Sequence, residues 1–230
     1  MQVDDGFWRL RLYKAVVADL NEFFAAFLSD YCCNCPQVIA RLPEAAGESF
    51  ELVAGVYPGC CHRGAGDIFR LEGVGVERSH LAPELVAALQ QERAQLLRRD
   101  NRVVRGGAYT IRRLADQTTV RGAHCRYFGP QGCTLGVLKG PLCINFICPP
   151  IRDDLLAICN DDPDLVGPEE DFLFIYRTLA VISYEDPFRA EAEVDLFRQR
   201  LLGVKELCRS FAESSKCKSL FDYFNSTQEQ

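Results

Sequence analysis

Cys125, Cys133, Cys143 and Cys148 fall within twenty-four residues, separated by seven, nine and four others. Gly129, Pro130 and Gly132 form a turn just ahead of Cys133, and Gly140 with Pro141 forms another ahead of Cys143. Each turn folds the backbone back, so sulfurs distant in sequence are able to converge. Upstream, Cys32 and Cys35 stand in a CxxC arrangement, the spacing at which two thiolates chelate one ion from a tight turn. The adjacent Cys60 and Cys61 diverge on an extended chain and share a site only in a turn, which Pro58 and Gly59 supply. Clustered thiols of this kind have two ordinary explanations, disulfides or a thiolate metal site.

Compartment decides between them. The start of the chain is acidic, without the basic region and apolar run of a secretory signal. No apolar run reaches the roughly 18 residues that a membrane-spanning helix needs. The expected location is the cytoplasm, where thiols stay reduced and clustered cysteines more often hold metal than disulfides. A chain of 230 residues with 48% apolar content buries a core without staples, so its twelve cysteines call for another reason.

The elements that must position these thiols follow from periodicity. Residues 7–31 predict an amphipathic helix, because Val16, Val17, Leu20, Phe23, Phe24, Phe27 and Leu28 recur at three- and four-residue steps. This stripe reads as core rather than as a cofactor box, and the helix delivers the chain directly to Cys32. A short strand is expected within residues 49–56, a helix over 83–99 with Pro83 in its first turn, and paired strands over 108–114 and 118–128. After Pro150, a helix is expected from Pro168, Glu169, Glu170 and Asp171 to about Tyr184. Another is expected from Asp186-Pro187 to about Ser215, and a short last helix over 219–224. The fold class predicted is α+β and mostly helical: a cysteine-rich metal-binding loop core with short strands and a C-terminal helical extension. Residues 1–150 are expected to form the cysteine-cluster domain with its N-terminal helix, and 151–230 the extension packed on it.

The two cysteine groups together resemble the YkgJ-like cysteine-cluster family, described as a zinc- or iron-chelating domain. The first half of that pattern is matched by Cys32-x-x-Cys35 with Cys60-Cys61. The second half runs from Cys125-Arg-Tyr-Phe-Gly through Cys133-Thr-Leu to Lys139-Gly-Pro-Leu-Cys143-Ile-Asn-Phe-Ile-Cys148. The chain departs from the pattern in two places. Twenty-four residues divide Cys35 from Cys60 where the family has a couple, and Gly140 stands where the family usually has arginine. The resemblance covers residues 31–150 and implies a ligand set of Cys32, Cys35, Cys60, Cys61, Cys125, Cys133, Cys143 and Cys148. Flagellin lysine methylases are similar in carrying such a domain, although no methyl-donor glycine motif stands out here.

An all-thiolate set selects zinc or an iron–sulfur cluster over magnesium and calcium. Eight thiolates make two four-thiolate sites, or one site with four further structural thiols. The cofactor expected is an iron–sulfur cluster of the [4Fe-4S] kind, with zinc as the alternative. Zinc would be structural, because a closed tetrahedral site leaves no position for water; a cluster opens electron transfer, redox sensing or a radical reaction. The function expected is therefore a metal-cluster protein in electron transfer, redox sensing or metal handling. The alternatives are a cluster-dependent enzyme acting on a protein or small molecule, and a zinc-stapled interaction module. Cys33 reads as a spare thiol, with a nucleophilic role as its alternative. Cys159, Cys208 and Cys217 read as buried or surface thiols. His62 and His124 flank cysteines but read first as partly exposed neighbours. Asp153-Asp154 and Asp161-Asp162 sit in polar turns or helix starts and read as caps.

Charge is uneven along the chain. From Arg93 to Arg126 nine arginines face only Asp100 and Asp116, a segment of +7 in a chain whose net is −6, which leaves −13 for the rest. Two readings stand: a solvated face paired with acidic surface elsewhere, or a docking surface for an acidic protein partner or anionic ligand. Neither a membrane nor a nucleic-acid partner is expected.

Overall fold

The computed structural model describes residues 5–41, 50–55, 69–71, 79–99, 108–123, 125, 127–129, 132–160 and 162–228. Cys60, Cys61, His62, His124, Asp161, the Pro58-Gly59 turn and the glycine-rich stretch before Ser79 lie outside the described residues, wholly or in large part.

The fold is α+β and mostly helical. Helix α1 spans Asp5–Phe23; of the predicted stripe Val16, Val17, Leu20 and Phe23 are fully buried, joined by Tyr13, while Phe24 and Phe27 beyond it are half-buried. It packs against α4 (Pro83–Arg99), α8 (Ile175–Tyr184) and the long α9 (Pro187–Ser215). The facing positions are Leu85 and Leu89 on α4, Leu179 and Ile182 on α8, and Val194, Phe197, Leu201 and Val204 on α9, all buried in one continuous core. Each such side chain contributes about 1.5–3 kcal/mol by leaving water. The core therefore draws on helices from both sides of residue 150.

The predicted helix over 7–31 does not run through at constant pitch. Phe24–Leu28 form a π-turn, after which α2 spans Ser29–Cys33 and α3 spans Cys35–Ala40. The wider turn adds one residue and so shifts side-chain phase by about 100°. Phe23 sets its ring 5.5 Å from Phe27 and 6.3 Å from Phe172, which fills the space around the turn. Beyond it Tyr31 faces inward while Cys32 and Cys33 face solvent.

Three antiparallel strands form a small sheet in the order β1 (Phe50–Ala54), β2 (Ala108–Arg113), β3 (Thr119–Ala123). Ile111 on β2 pairs with Leu52 on one side and Val120 on the other, so the three apolar side chains share a face. Leu52 and Val120 remain exposed. The hairpin β4 (Phe128–Gly129) and β5 (Gly132–Cys133) carries Cys133, and then α5 (Pro141–Asn145), α6 (Pro149–Ile158) and α7 (Pro163–Val166) follow. α10 spans Leu220–Gln228. No helix among the described residues is long and apolar enough to cross a membrane.

The helix expected from Pro168 starts later, at Ile175, after a tight turn in which Leu173 and Phe174 take left-handed backbone. Asp171 explains the delay. Its carboxylate accepts from the N–H groups of Tyr176 at 2.6 Å and Arg177 at 3.1 Å, so it caps α8 from outside. Gly167, at φ +88°, makes the close approach possible, since a Cβ there would lie 2.4 Å from the Asp171 carbonyl oxygen.

Asp171 is 1% exposed, and burial pushes its carboxyl up to about 6 despite the two N–H donors. A raised carboxyl pKa favours the neutral form in the folded chain. The stability it contributes is fully present below the unfolded value of about 3.9 and is lost as pH rises through 6. The loss is on the order of 2–3 kcal/mol. Asp171→Asn keeps an acceptor without the charge and is expected to flatten this dependence. Melting both proteins from pH 4 to pH 7 and plotting the difference tests it; parallel curves would show that Asp171 is not the titrating group.

Candidate functional site

Cys32 and Cys33 close α2, and Cys35 opens α3. Asn34 breaks the helix between them, with its N–H donating to Asp30 O at 3.0 Å and its Nδ2 to the same oxygen at 2.8 Å. The break turns the chain within one residue, which is what a CxxC chelate needs. Cys148 arrives from elsewhere in the sequence. It sits in extended backbone (φ −62°, ψ 139°) as the residue before α6, and its carbonyl accepts from Ile151 at 3.0 Å and Arg152 at 3.1 Å. Pro149 and Pro150, without N–H groups, fit the first turn of that helix.

These segments meet. The Cys32 thiol is pushed up to about 11, first by the protein packed around it and then by the charges of Cys148, Cys35 and Cys33. Its outer surface still reaches solvent. Three thiols from α2, α3 and the start of α6 thus stand within electrostatic reach of Cys32 and oppose its ionisation. A bound cation is what relieves such opposition.

A second thiol group lies on the β4–β5 hairpin. Cys133 pairs with Phe128, while Thr134 donates to Tyr127 O through both N–H (2.8 Å) and Oγ1 (2.9 Å). The Cys133 thiol is raised, mainly by burial and partly by Cys125, while the Leu135 N–H, Lys139 and Arg93 oppose the rise. Lys139 acts on Cys32 as well, so one ammonium lies within reach of both thiol groups. It is held in place: Nζ donates to Asn21 Oδ1 at 2.6 Å, and its carbonyl accepts from the Tyr13 hydroxyl at 2.5 Å. Cys143, in α5, is exposed. Of the eight predicted ligands, Cys35 and Cys148 lie within electrostatic reach of Cys32, and Cys125 within reach of Cys133. Cys60 and Cys61 lie outside the described residues. Among the described residues, no group of three or more His, Cys, Asp or Glu side chains stands close enough to hold a metal ion.

No family model, curated protein or solved structure matches this chain. The site must be read from its own chemistry.

Two residues have roles that the sequence reading did not anticipate. Asp154 is no cap in a polar turn. It is 4% exposed, accepts from the Tyr31 hydroxyl at 2.8 Å, and takes both Nη groups of Arg41 in a forked ion pair. Burial first, and then the Asp154 carboxylate, raise the Tyr31 phenol far above its usual range, so it remains a donor. Arg93, counted in the arginine-rich segment, is buried. Its Nε and Nη2 donate to Leu138 O at 2.8 and 2.6 Å, and its guanidinium lies 4.5 Å from the Phe69 ring centre. It pins the turn before Lys139 and offers nothing to a partner. The α-helical period of 83–99 places Arg93 four residues after Leu89 on the buried face, which was the available signal.

The remaining cysteines separate by burial. Cys159 and Cys208 are core residues whose thiols burial raises to about 11 and 12. Cys217 is half-buried, with Sγ 3.9 Å from Ala212 O. His80 is exposed; its Nδ1 meets Ser79 Oγ at 2.9 Å, and its carbonyl accepts from the Tyr184 hydroxyl at 2.8 Å.

Proposed function

We propose that this chain is a thiolate-held metal-cluster protein of the YkgJ-like kind, working in electron transfer, redox sensing or metal handling. The ligands are Cys32, Cys35, Cys60, Cys61, Cys125, Cys133, Cys143 and Cys148. The observation that carries the reading is that Cys148, over a hundred residues later in the chain, lies with Cys35 within electrostatic reach of Cys32. Hydrophobic packing gives no reason to bring Cys148 within electrostatic reach of the exposed Cys32 thiol; a soft cation does. Lys139, within reach of both thiol groups, suits a site that carries excess negative charge when loaded.

The donor set fits an iron–sulfur cluster, with zinc as the alternative. A cluster supplies one-electron chemistry when bound, whereas zinc supplies a cross-link. The chain's own residues orient the sulfurs: the Asn34 break turns the CxxC, α6 presents Cys148 at its start, and the β4–β5 hairpin presents Cys133. The same reading places the protein in a reducing compartment, the cytoplasm, where these thiols persist. An acidic protein or anionic ligand is proposed to dock on the exposed arginines of the 93–126 segment, such as Arg98 and Arg121, with Arg93 excluded by its burial.

The test is the visible spectrum of anaerobically prepared protein together with its metal content. A broad absorption band bleached by dithionite, with iron and sulfide in step, supports the cluster. A colourless protein with stoichiometric zinc selects the stapled interaction module. A chain that takes up neither, after exposure to zinc or to iron and sulfide, refutes the proposal.

A further inference from the structure

We infer that Tyr31, Arg41 and Asp154 form a positioning clamp that holds the Cys32–Cys35 turn against Cys148. The inference rests on the metal reading above and names what sets the sulfur positions.

The placement of the three residues carries the argument. Tyr31 immediately precedes Cys32, Arg41 follows Cys35 by six residues, and Asp154 follows Cys148 by six. Donors on both sides of the CxxC therefore end on one carboxylate, and that carboxylate stands on the helix that Cys148 begins. The Tyr31 hydroxyl donates to Asp154 Oδ2 at 2.8 Å, and Arg41 Nη1 donates to the same oxygen at 2.8 Å. Arg41 Nη2 donates to Oδ1, completing a planar fork. The fork fixes the rotation of α6 about its axis as well as its distance from α3. Rotation matters because Cys148 lies at the helix start, so turning α6 would swing its backbone away from the CxxC.

Stability alone is a poor reason for this arrangement. Tyr31 is 1% exposed, Asp154 4%, and the Arg41 side chain 9%. A buried ion pair gains little over apolar side chains of similar volume, because its desolvation cost offsets most of the attraction. What it adds is direction: two fixed donors and one carboxylate admit a single relative placement of α2, α3 and α6. The clamp sits beside an aromatic core, with the Phe221 ring centre 5.6 Å from that of Tyr31. Ordinary packing was available at this point in the core.

The test uses the full chain and cobalt(II) as the probe, because thiolate-to-cobalt absorption bands report how many sulfurs bind and in what geometry. Affinity is read by competition with a chromophoric chelator. Tyr31→Phe removes one hydroxyl and keeps the ring, and it is expected to weaken cobalt binding about tenfold to a hundredfold, the usual effect of losing a group that orients ligands. Asp154→Asn is expected to do the same and to alter the thiolate bands. Arg41→Lys keeps the charge without the fork and should restore only part of the affinity. Phe197→Leu is the control: it loosens the buried face of α9, lowers the melting point and should leave cobalt affinity and spectrum unchanged. If affinity follows melting point equally in Phe197→Leu and Tyr31→Phe, the clamp is mere structural support and the inference falls. If Tyr31→Phe and Asp154→Asn bind cobalt like the unaltered chain, it falls as well. An unaltered chain that binds no cobalt overturns the metal reading first, and the clamp with it.

Discussion

Cys148→Ser is expected to strip the protein of metal and to lower its melting point to that of the metal-free chain. Serine preserves the shape of the segment ahead of α6 but offers no soft donor, so the proposed site would lose the ligand that links α6 to the CxxC. Structural zinc contributes on the order of 10 kcal/mol or more of folding free energy in small peptides, so the loss should far exceed the effect of an ordinary surface substitution. It should also be local. Hydrogen exchange is expected to speed up around residues 29–40 and 141–158 while the α8–α9 hairpin stays protected. Cys159→Ser is the comparison: it is a buried core thiol and should cost stability without changing metal content. Equal metal content in the unaltered chain and Cys148→Ser would remove Cys148 from the ligand set. Uniform loss of protection would mean that the site and the helical core open as one unit.

The second large effect is expected at Phe23. Its side chain is fully buried where α1 gives way to the π-turn, with ring neighbours Phe24, Phe27 and Phe172. Phe23→Ala removes the ring and leaves a cavity that surrounding helices fill only in part, at a cost of about 3–5 kcal/mol. Urea unfolding followed by circular dichroism gives the number directly. A cost under about 1 kcal/mol would show that α1 is able to collapse onto its neighbours, and that the aromatic seam is not what seats the turn leading to Cys32.

Regular elements were the legible part of this chain. Residues 83–99 and the helix begun by Asp186-Pro187 have both ends marked, and both formed as expected; Asp186 accepts from Phe188 at 3.0 Å and Arg189 at 3.2 Å. The strands near 50, 108 and 119 also formed. Failure came wherever a side chain's partner is remote. Asp154 looks like a cap until Arg41, 113 residues earlier, reaches it. Arg93 looks like surface charge until Leu138 O accepts from it. The start of α8 moved because Asp171 caps from four residues outside the helix, over backbone that no local preference favours. The π-turn has no compositional mark. The CxxC and the turns before Cys133 and Cys143 were visible as spacing, yet which sulfurs come within reach of one another depends on how α6 seats against α3, which periodicity does not encode.

The place of α1 in the core has a consequence for how the protein is made. Its apolar stripe leaves the ribosome well before α8 and α9, which cover it and begin at Ile175 and Pro187. At roughly 5–20 residues per second, the stripe waits roughly ten to thirty seconds for its cover. Through most of that interval Cys32 and Cys35 stand on the growing chain without Cys148. Over that time the proposed ligand set lacks its last member. On the proposed metal reading, loading belongs after the ribosome has passed α6, and until then the growing chain depends on surroundings that keep its thiols reduced and α1 shielded.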